Sequence, residues 1–165
     1  MQTRPATPTG YISVDSLRYV ADYVNIQLKG MPYTFIGGVA CSLLRSSHLT
    51  HDFDIIVLDR QKDAALRQLA SNSKAFSTDG CGIWAKTLDG KQYNLDIIEP
   101  RQIGQVFTGD DVIVVRGMKV LHPSALLRYK QYAYANRVAN RQTSQANYEA
   151  DLRFLSNYLQ RIGGK

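Results

Sequence analysis

Three aspartates lie inside apolar runs, in Asp52-Phe-Asp54-Ile-Ile-Val57 and in Tyr93-Asn-Leu-Asp96-Ile-Ile98. Carboxylates in such surroundings are costly to hold unless something cationic compensates them. Residues i and i+2 of a strand share a face, so Asp52 and Asp54 point one way while Phe53, Ile55 and Val57 point the other. The same alternation groups Asp96 with Asn94 and Ile98, opposite Leu95 and Ile97. If the two strands are neighbours, three carboxylates meet on one side of a sheet. Like charges gathered there repel and raise one another's pKa. A hard divalent cation removes that repulsion, with Mg²⁺ expected and Mn²⁺ the alternative. Two such ions about 3.5–4 Å apart can clamp the attacking and leaving oxygens of a phosphoryl or nucleotidyl transfer. A lone D-x-D is more often the solvated start of a strand; Asp96 in a second apolar run is what tips the balance.

Upstream, Tyr33-Thr-Phe-Ile-Gly37-Gly38-Val-Ala-Cys41 places a glycine pair between a β-rich segment and a helix-like one. Without Cβ atoms the backbone can turn sharply and let a phosphate approach its N–H groups. The start of the following helix adds a positive dipole. Two glycines alone usually mark only a tight turn. Here the segment from 39 to 51 gives room for one short helix and a return loop, which would bring the turn beside the acids. Ser42 and Arg45 could reach toward a phosphate, although each also reads as an ordinary surface helix residue.

The elements that must position these groups follow from periodicity. Ser13 or Asp15 can cap a helix running to about Leu28, with Leu17, Val20, Val24 and Leu28 as its apolar stripe and Gly30 as its stop. Tyr33–Ile36 reads as a strand, Val39–Arg45 as a short helix and Asp52–Leu58 as a second strand. Asp59 is expected to cap a helix from Arg60 to about Ser71, with Ala64, Leu66, Leu69 and Ala70 as its apolar face. Residues Ala75 to Ile98 read as strands with a hairpin at Asp89-Gly90. A further strand, Val112–Val115, precedes helices over Pro123 to about Val138 and Thr143 to about Ile162. The order predicts a single α+β (mixed α/β) domain over 13–165 behind a flexible tail at 1–12. Its core would span about 13–115 and a helical part about 116–165.

At 165 residues, 44% hydrophobic and 21% charged, the chain can bury a normal core. No apolar run reaches the roughly 18 residues of a membrane span, and the Pro/Thr-rich start does not read as a secretory signal. Cys41 and Cys81 form no C-x-x-C pair, so both are expected reduced, in a cytoplasmic protein with a nuclear location left open. The net charge of +6 is unevenly spread: residues 1–115 carry 11 Lys/Arg against 12 Asp/Glu, and 116–165 carry 9 against 2. A basic C-terminal third beside an acidic constellation suits a polyanion that must also meet a metal, although a solvated helical face explains it equally well.

Taken together, Ile36-Gly37-Gly38, Asp52-Phe-Asp54 and Leu95-Asp96-Ile97 resemble the signature of the polymerase-beta-like nucleotidyltransferase superfamily. The small single-domain members are most similar: antibiotic nucleotidyltransferases and the toxin-type enzymes of abortive-infection and toxin–antitoxin systems. The resemblance runs over roughly residues 15–160. It takes in Val120-Leu-His-Pro-Ser-Ala-Leu-Leu-Arg-Tyr-Lys130, where a strand ends and a helix presents a lysine, and a later basic-then-acidic echo at Arg137 and Asp151. It implies a nucleotidyltransferase-fold mixed sheet flanked by helices, with two C-terminal helices. It further implies Mg²⁺-dependent transfer of an NMP from an NTP, such as ATP, to an acceptor hydroxyl with release of pyrophosphate. Asp52, Asp54 and Asp96 would be the catalytic and metal residues. Gly37, Gly38, Ser42 and Lys130 would serve the nucleotide. The acceptor, whether small molecule, RNA or protein, is not specified, and a homodimer is left open.

Two departures matter. Gly38 stands where many members carry serine, and His48 where relatives often carry arginine. They keep in view a degenerate nucleotide-binding or toxin–antitoxin-type module of the same fold. His48, His51 and His122 lack zinc spacing and read as loop or cap residues. Tyr129, Tyr132 and Tyr134 could stack a base, but core packing is the commoner role. P-loop and Rossmann signatures and a serine-hydrolase nucleophile motif are absent. A D-x-D glycosyltransferase would leave the glycine turn and Asp96 unexplained.

Overall fold

The computed structural model describes residues 12–44, 53–79, 82–104, 107–139 and 145–163, apart from the side chains at 133, 136–139 and 145–148. Helix α1 (Val14–Gln27) starts as the sequence predicts, with the Ser13 hydroxyl accepting from the Ser16 N–H at 3.1 Å. Its stripe of Leu17, Val20, Ala21 and Val24 is buried, and so is Ile12, the last residue of the predicted tail. Strand β1 (Tyr33–Ile36) runs into α2 (Gly37–Leu43), which therefore begins at the glycine pair rather than at Val39. Strand β2 (Phe53–Val57) is followed by α3 (Lys62–Ala70).

Asp59 does not cap α3. The chain passes Arg60 at a left-handed φ of 69°, and Asp59 Oδ1 instead accepts from the Arg101 N–H at 3.0 Å. The α3 start is served from across the fold, by Glu99 Oε2 accepting from the Lys62 N–H at 3.2 Å. The buried centre of this helix is Ala65 and Leu69, with Ala64 only half-buried.

Strands β3 (Phe76–Thr78), β4 (Ile83–Lys86) and β5 (Gln92–Ile98) form the expected antiparallel run, with the Asp89-Gly90 turn joining β4 to β5 and Gly90 at φ 81°. Beyond β6 (Val112–Val115) the chain adds β7 (Met118–Leu121), a strand that the periodicity reading left out. The two are joined by the two-residue turn Arg116-Gly117, both at positive φ (52° and 82°). That is the geometry a tight hairpin needs, reached here with Arg in place of the usual Asn or Asp.

All seven strands form one mixed sheet in the order β3-β4-β5-β2-β1-β7-β6, with β2–β5 and β1–β7 parallel. Tyr33, Phe35, Phe53, Ile55, Tyr93, Leu95, Ile97 and Val120 alternate onto one buried face. There Phe35 meets Tyr33 and Phe53 edge-on, with ring centroids 5.6 and 5.7 Å apart. Helices α4 (Pro123–Ala139) and α5 (Gln145–Gly163) pack on each other and reach the sheet through α2, which touches both helices and β1, β2 and β7. No described helix is long and apolar enough to cross a membrane. The result is the predicted α+β architecture, a mixed sheet with helices and two C-terminal helices.

Candidate active site

The strand register brings together Asp54 and Asp96, the two predicted site aspartates that lie among the described residues. Asp54 pairs with Ile36 across the antiparallel β1–β2 ladder and with Asp96 across the parallel β2–β5 ladder. Directly paired residues on adjacent strands share a face, so both carboxylates emerge side by side, away from the Phe53/Leu95 core. Asp54 is half-buried and Asp96 exposed. Asp52 lies outside the described residues, as do Arg45, His48, His51 and Cys81. Among the described residues no group of three His, Cys, Asp or Glu side chains is close enough to hold an ion.

Gly37 sits directly against this pair. The chain leaves β1 extended at Ile36 (φ −132°, ψ −177°) and turns into α2 through Gly37 at φ +65°. A Cβ on Gly37 would lie 2.5 Å from Asp54 Oδ2, so only glycine leaves that carboxylate its place. Gly37 is therefore fixed twice, by backbone hand and by close approach. Gly38 follows in the first turn of α2 and is half-buried.

The other two predicted nucleotide-site residues lie differently. The Ser42 hydroxyl is buried without a hydrogen-bond partner among the described residues. Lys130, on α4, is largely buried, and its ammonium contacts Asp151 Oδ2 of α5 at 2.6 Å. Asp151 Oδ1 is buried and has no hydrogen-bond partner among the described residues. This pair lies close enough to α2 to bear on Cys41. Burial pushes the Cys41 thiol up to about 12, the Asp151 charge adding to the rise and the Lys130 charge opposing it. Lys130 thus joins α4 to α5 beside α2. The lysine's spacing in the sequence carried no signal for that partner.

Of the tyrosines on α4, Tyr129 is core. Tyr132 is partly exposed, with its hydroxyl 3.8 Å from where a Cβ on Gly104 would stand. His122 Nδ1 bonds the Ser124 hydroxyl and N–H at the start of α4, the cap role expected of it.

No protein-family model and no curated protein sequence matches the chain. Solved structures do. An antigenic nucleotidyltransferase-like protein from Paracoccidioides brasiliensis superposes with a TM-score of 0.65 at 20% identity, covering 88% of this chain and 78% of that one. JHP933 from Helicobacter pylori gives 0.63 at 15% identity, over 90% and 68% of the two chains. The antibiotic-resistance factor ANT(2'')-Ia gives 0.56 at 14% identity, over 92% and 87%. Likeness at these identities is likeness of fold: this chain shares the fold of these proteins, a nucleotidyltransferase-like one among them.

Proposed function

We propose that the chain is a divalent-metal-dependent nucleotidyltransferase that moves an NMP from an NTP to an acceptor hydroxyl and releases pyrophosphate. The observation that carries this reading is the Asp54–Asp96 pair at one register with Gly37 turned against it. The fold of the nucleotidyltransferases supports it. The donor set fits a hard cation: two carboxylates on one face, and a residue without Cβ keeping the space at Asp54 Oδ2 clear. Asp54 and Asp96, with Asp52, would hold Mg²⁺, or Mn²⁺ in its place. When bound, the ion would supply Lewis-acid polarisation of the phosphates.

The chain's own residues do the rest. The Gly37-Gly38 backbone would face the triphosphate through its N–H groups. Asp96, the more exposed acid, would take the proton of the acceptor hydroxyl as that oxygen attacks the α-phosphorus in line. The bond to the bridging oxygen breaks, and pyrophosphate leaves.

The test is a thermal titration of the full chain with each Mg·NTP. A ligand that binds only the folded state raises stability by RT ln(1 + [L]/Kd). A rise with at least one nucleotide is expected, lost in Asp54→Asn; no rise with any of them at about millimolar concentration counts against the reading.

The Lys130–Asp151 contact favours a second reading, a nucleotide-binding module of the same fold without turnover, since the lysine that would neutralise phosphate charge is already engaged. Nucleotide binding without pyrophosphate release, across RNA, protein and small-molecule acceptors, would select it.

A further inference from the structure

The face of the sheet that carries the acids also carries a pocket of about 240 Å³. Thr34, Ile56 and Ile98 are paired across β1, β2 and β5, forming the next same-face row after Ile36, Asp54 and Asp96. Two residues along a strand is about 7 Å, so the pocket, whose floor includes Thr34 and Ile56, starts that far from the carboxylates. Phe107 and Val112 wall it, and among the described residues Lys119 is the one charged residue lining it.

Apart from that cation the lining is almost wholly apolar, and three features give the pocket a preference. Lys119 Nζ lies 4.9 Å from the centroid of the Tyr33 ring, and among the described residues no carboxylate pairs with it. Two carboxylates of the neighbouring turns, Asp111 and Asp59, are engaged elsewhere. Asp111 accepts from the Thr108 N–H at 2.8 Å and pairs with Arg128 at 3.7 Å, and Asp59 is held by the Arg101 N–H. Thr34, 2% exposed on the floor, has a hydroxyl whose one bond among the described residues is a long 3.4 Å contact to the adjacent Phe35 carbonyl, well beyond the usual O–H···O length. The Tyr33 ring is fixed by its hydroxyl donating to Asn25 Oδ1 at 2.5 Å, so the Lys119–ring contact rests on an anchored partner.

A cation with no anionic partner among the described residues, at the wall of an apolar cavity, selects an anion with an apolar body. The volume lies below the 300–1,000 Å³ typical of sites for drug-sized ligands, which limits the occupant to one or two rings. We propose that this pocket binds a small planar monocarboxylate, its ring against Ile56, Phe107 and Val112 and its carboxylate on Lys119. The proposal does not depend on the acids holding a metal, although an occupant would sit beside them.

The test is a methyl-resonance NMR titration of the full chain with phenylacetate and indole-3-acetate, and with phenethylammonium as the charge-reversed probe. Saturable shifts at the Ile56, Val57 and Val112 methyls are expected for the two acids at about millimolar Kd, with binding about 10-fold weaker for the ammonium. Lys119→Gln should bring the two charge types to equal affinity. Val112→Phe, which fills the space, should abolish both while leaving stabilisation by Mg·ATP unchanged. If Val112→Phe fails to fold, the Lys119→Gln comparison decides alone. The absence of saturable shifts at these methyls up to roughly 20 mM, or equal binding of acid and ammonium by the unaltered chain, overturns the proposal. Stabilisation by Mg·ATP is read separately, so a silent pocket and a silent nucleotide site are told apart.

Discussion

At the scale of single residues, Gly37 is the most constrained position. A methyl there would meet Asp54 Oδ2 at 2.5 Å, and the residue holds φ +65°. Gly37→Ala should therefore destabilise the fold by at least about 1–2 kcal/mol, the cost of a left-handed L-residue, before any clash is counted. Urea unfolding measures it, and an unchanged midpoint would contradict the left-handed backbone at Gly37. Asp96, exposed beside Asp54, can be tested without that penalty. Asp96→Asn should leave stability within about 0.5 kcal/mol. Under the proposed chemistry it should lower turnover by about 10²–10⁴-fold, as loss of a positioned base does. Pyrophosphate release on the two proteins gives that ratio. The Gly37-Gly38 pair and the alternation around Asp54 and Asp96 were legible in the sequence, because period-2 patterning assigns faces without knowledge of neighbours.

Between elements, the buried Lys130–Asp151 pair joins α4 to α5. Removing one partner of a buried pair strands the other charge, so Lys130→Met and Asp151→Leu should each cost about 3–5 kcal/mol. The double variant should recover most of that loss in the same urea measurement. It also tests the role of the lysine. If Lys130 serves only packing, the double variant keeps its stabilisation by Mg·NTP; if it meets the triphosphate, that stabilisation falls while the fold holds. From the sequence Lys130 read as a solvated or phosphate-facing lysine, and nothing at i±3 or i±4 points to Asp151. Periodicity left strand β7 out for a related reason, although the resemblance had a strand ending at Val120-Leu121. Its turn is Arg116-Gly117, and Arg at a positive φ has no local signature; pairing with β1 and β6 supplies the support.

Across the whole molecule, Glu99 ties distant pieces together. Its carboxylate accepts from the Lys62 N–H at the start of α3 and meets Arg101 at 3.2 Å, while its own N–H donates to Gln102 Oε1 at 2.7 Å. The Lys62 N–H, first, and then the Arg101 guanidinium hold its pKa below the usual glutamate value, against the opposing effect of burial. A carboxylate depressed in the fold adds stability that is complete above its unfolded pKa, about 4.3, and lost as pH falls through the folded one. Glu99→Gln should therefore flatten the acid limb of stability against pH and leave its shape unchanged above about pH 6, read from urea midpoints across the range. By itself the sequence determined most of the strands and helices and the faces that Asp54 and Asp96 take, since those follow from alternation and local backbone preference. Only the tertiary structure decided that Asp54 and Asp96 share a register, that Lys130 belongs to Asp151, and that a pocket opens one row from the acids. Each of these depends on which strands and helices become neighbours, and that is set by burial summed over the whole chain rather than by any local segment.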